Sequence, residues 1–187
     1  MLSEYRVKRR PDRSGEPAEA HAPRNGPGDP ETRFVIQRHA ASGLHFDFRL
    51  EIDGVLVSWA VPKGPSTDSA EKRLATRTED HPLAYLDFEG RIPAGQYGHG
   101  TVVVWDTGTF ANLSDEDLVS GLHRGHLKFW LDGERLSGAY ALTQIRTRGG
   151  DQNWLLVKVD DETVDPHSDL AHTGLESVLT GRTRRNL

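Results

Sequence analysis

The chain has no cysteine among its 187 residues. Disulfides, thiolate metal sites and cysteine nucleophiles are therefore excluded, and any metal must be held by His, Asp, Glu or backbone oxygen. Such donors favour manganese, magnesium, iron or zinc bound without sulfur. Long apolar runs are also missing. Met1-Leu2-Ser3-Glu4-Tyr5-Arg6 opens without a run of signal-peptide length, and no later stretch nears the roughly 20 apolar residues of a membrane helix. A soluble, cytoplasmic protein is expected, with no membrane partner. No Gly-x-Gly-x-x-Gly opens a helix after a strand, and there is no nucleophilic serine elbow. The glycine-rich Ala94-Gly95-Gln96-Tyr97-Gly98-His99-Gly100 lacks the Lys-Ser/Thr of a phosphate-cradling loop and precedes a strand, so it reads as a tight turn. A basic excess is absent too. The formal charge of −5 argues against a sequence-independent DNA coat, whose affinity comes from neutralised phosphates. An enzyme meeting one phosphate at a strand end needs positive charge only locally.

What the chain does have is an unusual strand. In Leu44-His45-Phe46-Asp47-Phe48-Arg49-Leu50-Glu51-Ile52 every second residue is polar. A strand sends alternate side chains to opposite faces, so His45, Asp47, Arg49 and Glu51 share one face and Leu44, Phe46, Phe48, Leu50 and Ile52 the other. His45-x-Asp47, with His39 just upstream, supplies three metal-ligand candidates. Arg49 on the same face needs an anion, and its planar fork matches a phosphate. Glu51 is the alternative partner for that guanidinium.

The first 32 residues hold five of the ten prolines and few large apolar groups, so residues 1–32 read as a flexible N-terminal arm. The composition fits a disordered tail; the alternative is an arm that folds back over the site and contributes an arginine. From Arg33 onward the pattern is mostly strand. Asp53-Gly54 between apolar runs marks a hairpin, returning through Val55 to Val61. Further strands are expected at Leu74–Glu79, Ala84–Glu89, Thr101–Asp106, Gly125–Leu131, Leu136–Ile145 and Trp154–Val159. Short helices are expected at Ser66–Leu74, from Ser114-Asp115-Glu116-Asp117, and near Leu175–Leu179. Trp59, Trp105, Trp130 and Trp154 all fall in predicted strands, as core or rim. The fold class that follows is all-β: a compact single-domain antiparallel barrel over residues 33–160, short flanking helices, and a C-terminal tail over 161–187.

Glu79-Asp80-His81-Pro82-Leu83-Ala84-Tyr85 adds an imidazole and a phenol. Proline pushes His81 out of the helical region, and the imidazole can supply a proton or grip a phosphate, while Tyr85 can donate a hydrogen bond.

Gln37-Arg38-His39, Leu44–Glu51, Ser58-Trp59-Ala60-Val61-Pro62-Lys63-Gly64-Pro65, Glu79–Tyr85 and Ile92-Pro93-Ala94-Gly95-Gln96-Tyr97-Gly98 together resemble the 3′-phosphoesterase domain of bacterial DNA ligase D. Phe88-Glu89-Gly90, Trp105-Asp106, Leu136-Ser137-Gly138 and Trp154-Leu155-Leu156-Val157-Lys158 fit as well, in order from Arg33 to Val159. The resemblance implies a manganese-dependent hydrolase, other divalent metals being acceptable, that removes a 3′-terminal ribonucleoside and then the 3′-phosphate during non-homologous end joining. By position, His39, His45 and Asp47 would hold the metal. Arg49, His81, Tyr85 and Lys63 would form the phosphate-binding and catalytic set, with Gln37, Arg73 and Glu79 in support and Arg9 and Glu16 from the arm. The arm departs from the family pattern in carrying Arg10-Pro11 where an Asp and an aromatic usually follow. The chain reads as a stand-alone version or an excised piece.

The expected substrates are DNA or RNA-terminated primer-template 3′ ends. A separate ligase, polymerase or Ku-type end-joining protein is the expected partner, and the chain is expected to be a monomer. Two rivals stand against this reading: a non-haem iron oxygenase using a His-x-Asp…His triad, and a non-catalytic module that binds DNA ends.

Overall fold

The structure, a computed structural model, describes residues 2–8, 14–17, 32–146, 152–183 and 185. Arg9, assigned above to the arm, lies outside them.

The alternation in the sequence becomes a hairpin. Strand β1 (Thr32–Ala40) runs antiparallel to β2 (Leu44–Ile52), with Gln37 opposite Asp47 and His39 opposite His45. Asp53 and Gly54 then turn the chain with φ of 51° and 76°. Two successive positive φ values match the right-handed twist of the strands they join, and glycine adopts them without a Cβ penalty. Strand β3 (Val55–Val61) returns along β2.

Strands β4 (Lys72–Arg77), β6 (Gly100–Asn112), β7 (His126–Gly133), β8 (Ser137–Gln144) and β9 (Asn153–Lys158) complete the ring in the order β1-β2-β3-β4-β9-β8-β7-β6, and β6 pairs back onto β1. The result is a closed antiparallel barrel of eight strands, as the sequence pattern predicts. Strand β5 (Gly90–Ile92) adds to the start of β6 outside the ring. Closure removes the exposed edges that would otherwise invite another chain to pair.

The barrel interior is apolar. Phe34, Ile36, Phe46, Phe48, Leu50, Trp59, Trp105, Phe129, Tyr140 and Trp154 are buried in one cluster. Each such side chain contributes about 1.5–3 kcal/mol by leaving water. Leu44 is the exception on the apolar face of β2: it sits at the strand end and is 41% exposed.

A second, smaller cluster lies on the outside of the barrel, where Val35, Leu56 and Val104 meet Tyr5, Leu83, Tyr85 and Leu86. It exists because two segments cover that outer face. One is helix α1 (Ser3–Lys8), which buries Tyr5; the other is a 3-10 helix, Leu83–Asp87. Residues Phe34 to Ile36 are consequently buried on both faces.

Three local expectations change. Ala84–Glu89 is not a strand: Pro82 starts a 3-10 turn, closed by Tyr85 N–H on its carbonyl at 2.9 Å, which turns Leu83, Tyr85 and Leu86 inward together. Ser66–Leu74 is not a helix. There the Ser66 hydroxyl takes the Asp68 N–H at 3.1 Å and the Asp68 carboxylate takes the Ala70 N–H at 2.8 Å, giving turns that compete with a helix before β4 begins. At 175–179 the Ser177 hydroxyl accepts from the N–H groups of Leu179 and Thr180 at 3.0 Å each and makes another turn; the short helix there is α3 (Leu170–Thr173). The acidic run at 114–117 does lead to helix α2 (Leu118–Arg124), capped by Asp117 accepting from Ser120 N–H and ended by Gly125 at φ 82°. Among the described residues no helix is long and apolar enough to cross a membrane.

Candidate metal centre

The polar face of β2 points away from the barrel interior, into the space that α1 and the 3-10 helix cover. Asp47, Arg49 and Glu51 are therefore buried although they lie outside the barrel core, and His45 is half-buried at the rim.

The antiparallel register brings the three candidate ligands together, because His39 on β1 stands directly opposite His45 on β2. One ligand atom from each of His39, His45 and Asp47 lies within 4.8 Å of the others. The ring contacts fix which nitrogens those are. His39 Nε2 is 2.9 Å from the Gly98 carbonyl, and His45 Nδ1 is 3.2 Å from the Gly43 carbonyl. A carbonyl only accepts, so a neutral imidazole places its N–H there and turns its lone pair the other way. Those lone pairs are on His39 Nδ1, 3.3 Å from Asp47 Oδ2, and His45 Nε2, 3.6 Å from Asp47 Oδ1. Lone pairs converging on a carboxylate repel one another unless a cation lies between them. The donor set of two imidazoles and one carboxylate thus fits a divalent metal of the manganese, iron or zinc type.

Arg49 is 2% exposed, and a buried guanidinium costs several kcal/mol unless its N–H groups are matched. Here they are. Nε donates to Gln37 Oε1 at 2.9 Å, Nη2 to Asp47 Oδ2 at 3.0 Å, and Nη1 to Ser58 Oγ at 2.9 Å. The Ser58 hydroxyl donates onward to the Leu56 carbonyl at 2.8 Å, which leaves its lone pairs for Arg49. His81 Nδ1 is 2.9 Å from Nη1, and the Tyr85 ring lies 5.1 Å from the guanidinium carbon. Glu51 does not pair with Arg49. It forms a two-pronged ion pair with Arg33, at 2.7 and 3.1 Å.

Burial alone would raise the Asp47 carboxyl. The Arg49 guanidinium outweighs that and holds it below the usual carboxylate range. It is an anion at neutral pH.

The remaining assigned residues divide. Gln37 donates to the carbonyls of Tyr85 and Phe88 at 3.0 Å each, fixing the 3-10 helix against the site. Tyr85 donates its hydroxyl to Glu16, Tyr5 donates to the Pro17 carbonyl at 2.9 Å, and Lys8 pairs with Glu79 at 3.3 Å. Residues 3–8 and 14–17 are thus tied to the same face. Lys63 is exposed on the turn after β3, and Arg73 is paired with Glu71; neither lines the cavity that holds His39, His45, Asp47, Arg49, His81 and Tyr97. That cavity measures about 240 Å³.

Sequence reasoning passed over two contributors. Ser58 was visible as a hydroxyl in the otherwise apolar Val55–Val61, directly across from Arg49 and on the same face in the β2–β3 register. The Gly98 carbonyl gave no side-chain signal at all.

The sequence pattern of the DNA ligase D 3′-phosphoesterase domain matches residues 37–144. The chain is 48% identical over 185 residues to the multifunctional non-homologous end joining protein LigD of Pseudomonas aeruginosa, covering 97% of this chain and 21% of that protein. It is 45% identical over 161 residues to the LigD repair protein of Mycobacterium tuberculosis, covering 86% of this chain and 20% of the relative. The chain thus spans about a fifth of the length of the relatives it matches. These matches favour neither an iron oxygenase nor a non-catalytic end-binding module. The chain belongs to the DNA ligase D 3′-phosphoesterase domain family.

Proposed function

With that family as premise, we propose that the chain hydrolyses phosphate esters at the 3′ ends of primer-templates, with manganese at the His39–His45–Asp47 group. In the first step water adds to phosphorus, the bond to the terminal ribonucleoside O5′ breaks, and that oxygen leaves as a hydroxyl with one proton. In the second, water adds again, the bond to the primer O3′ breaks, and inorganic phosphate and a 3′-hydroxyl remain. The single observation that carries this reading is a three-donor metal group beside a buried, fully oriented guanidinium in one small cavity.

A divalent metal bound there supplies Lewis acidity toward a phosphoryl oxygen and the attacking water. Gly98 and Gly43 hold the two imidazoles in the ligating tautomer. Arg49 presents its fork to the phosphoryl oxygens without reorganising, because Gln37, Ser58 and Asp47 have already fixed its plane. His81, anchored by its Nδ1–H on the Glu79 carbonyl at 2.9 Å, exchanges a proton at Nε2 with the leaving oxygen. Tyr85 and Glu16 hold the N-terminal segment over the cavity, and Glu79 does so through Lys8. Lys63 and Arg73, outside the cavity, meet backbone phosphates of the approaching strand. End-joining ligase, polymerase or Ku-type proteins would use the hydroxyl so produced.

The test is a 5′-labelled primer-template ending in one ribonucleotide, incubated with protein and manganese. Conversion to a 3′-phosphate and then to a 3′-hydroxyl is expected; an unchanged primer overturns the proposal.

A further inference from the structure

The cavity at the metal centre measures about 240 Å³, smaller than the roughly 300–1,000 Å³ of sites that enclose a whole small molecule. A phosphate group fits inside it; the base attached to the same nucleotide must lie at the rim. Tyr97 is at that rim. It is 52% exposed, and it is the one aromatic among the exposed large apolar side chains of the described residues. The two nearby tyrosines, Tyr5 and Tyr85, are each 1% exposed and serve packing.

The turn that carries Tyr97 is stiff and is tied to the metal ligands. Gln96 N–H donates to the Pro93 carbonyl at 3.2 Å and His99 N–H to the Gln96 carbonyl at 3.1 Å. Gly95 and Gly98 supply the positive φ values, 85° and 73°, that these turns require. The residue after Tyr97 gives the carbonyl that orients His39 at 2.9 Å, so the backbone that carries the ring is anchored to the centre. Lys8 Nζ sits 5.4 Å from the ring centroid and braces it from α1.

We propose that the Tyr97 ring is the platform on which the base of the 3′-terminal nucleotide stacks. This rests on the reading that the substrate is a nucleic-acid 3′ end. Stacking on an aromatic ring tolerates any base, since every base has a π-face. The platform therefore gives affinity for an end without sequence preference. Positioning is its contribution; Tyr97 takes no part in bond breaking.

The experiment compares two manganese-dependent substrates, primer-templates with a 3′-phosphate whose terminal nucleotide either bears adenine or is abasic. For the wild type, kcat/KM favours the adenine end by about tenfold, with the difference in KM. In Tyr97→Ala that ratio falls toward one, whereas Tyr97→Phe and Tyr97→Trp keep it. A Tyr97 that only braces α1 would lower both substrates equally in Tyr97→Ala, and that result overturns the proposal. A second readout uses 2-aminopurine at the primer terminus, titrated with protein in EDTA. Quenching by the wild type and by Tyr97→Phe but not by Tyr97→Ala is expected; equal quenching by all three overturns the platform. Quenching in EDTA together with no hydrolysis by the wild type in manganese would overturn the phosphoesterase reading and leave the platform standing.

Discussion

Two buried aspartates, one at the candidate metal centre and one at the corner where β6 meets the β7–β8 hairpin, solve the same problem in opposite ways. Asp106 is 0% exposed and is held by main-chain groups: Thr107 and Arg135 N–H reach Oδ1 at 3.0 and 2.9 Å, and Leu136 N–H reaches Oδ2 at 3.0 Å. Burial pushes its carboxyl up to about 6, although those N–H groups pull the other way. Asp47 is held instead by ionisable side chains, and the Arg49 guanidinium takes its carboxyl down. Backbone dipoles can only fix a loop in place. Arg49, His39 and His45 can also bind an anion, a proton or a metal. The partners, rather than burial itself, separate a structural staple from a candidate reaction centre.

The sharpest way to break this comparison is to remove one charge from each corner. Asp47→Asn keeps the shape but removes the carboxylate from the proposed metal group and a charged partner from Arg49. Phosphate release from a 3′-phosphorylated primer should fall by at least about 10³-fold, with manganese affinity falling too. Asp106→Ala leaves three N–H groups without an acceptor and should cost about 3 kcal/mol in chemical denaturation while release per folded molecule stays near wild type. Equal losses of activity in the two variants would undo the distinction.

Arg49→Lys is the next largest. An ammonium keeps the charge but loses the planar fork that Gln37, Asp47 and Ser58 align, so kcat should drop by about 10²-fold in steady-state assays. Near-wild-type turnover would mean that a point charge suffices.

The third test uses pH. Burial pushes the Asp106 carboxyl up to about 6 in the folded protein, above the ordinary aspartate value of 3.8 of the unfolded chain. The folded state therefore holds its proton more tightly. That contribution is fully present below about pH 4 and is lost as pH rises through 6, about 2–3 kcal/mol in all. Denaturation midpoints of the wild type and Asp106→Asn between pH 4 and pH 7 check this. The wild type should weaken relative to the variant as pH rises, and parallel curves would contradict it.

Legibility in the sequence follows the same division. The alternation of Leu44–Ile52, the Asp53-Gly54 turn and the three metal-ligand candidates were readable because a pleated strand fixes side-chain direction from spacing alone. Helix and strand at Ser66–Leu74 and Ala84–Glu89 were misread because side-chain hydroxyls, a carboxylate and Pro82 settle those stretches locally, without a period to read. The partner of Glu51 depended on Arg33, 18 residues away in sequence and brought near by register. The Gly98 carbonyl depended on a turn 59 residues from His39, with no side chain to announce it. What spacing within one strand determines was visible; what pairing between distant segments determines was not.

Ser58→Ala should give the smallest effect, and it probes how much the fixed plane of Arg49 matters. The hydroxyl accepts from Arg49 Nη1 and donates to the Leu56 carbonyl, so its removal leaves one buried N–H and one carbonyl with a partner fewer. About 1–2 kcal/mol of stability should be lost. Arg49 retains Gln37 and Asp47, so its charge stays in place and its orientation loosens. Orientation contributes through the transition state more than through ground-state binding, so kcat should fall by less than about tenfold with KM nearly constant. A loss as large as that of Arg49→Lys would show that the hydroxyl itself touches the phosphate. No loss in kcat would show that two of the three partners already fix the guanidinium.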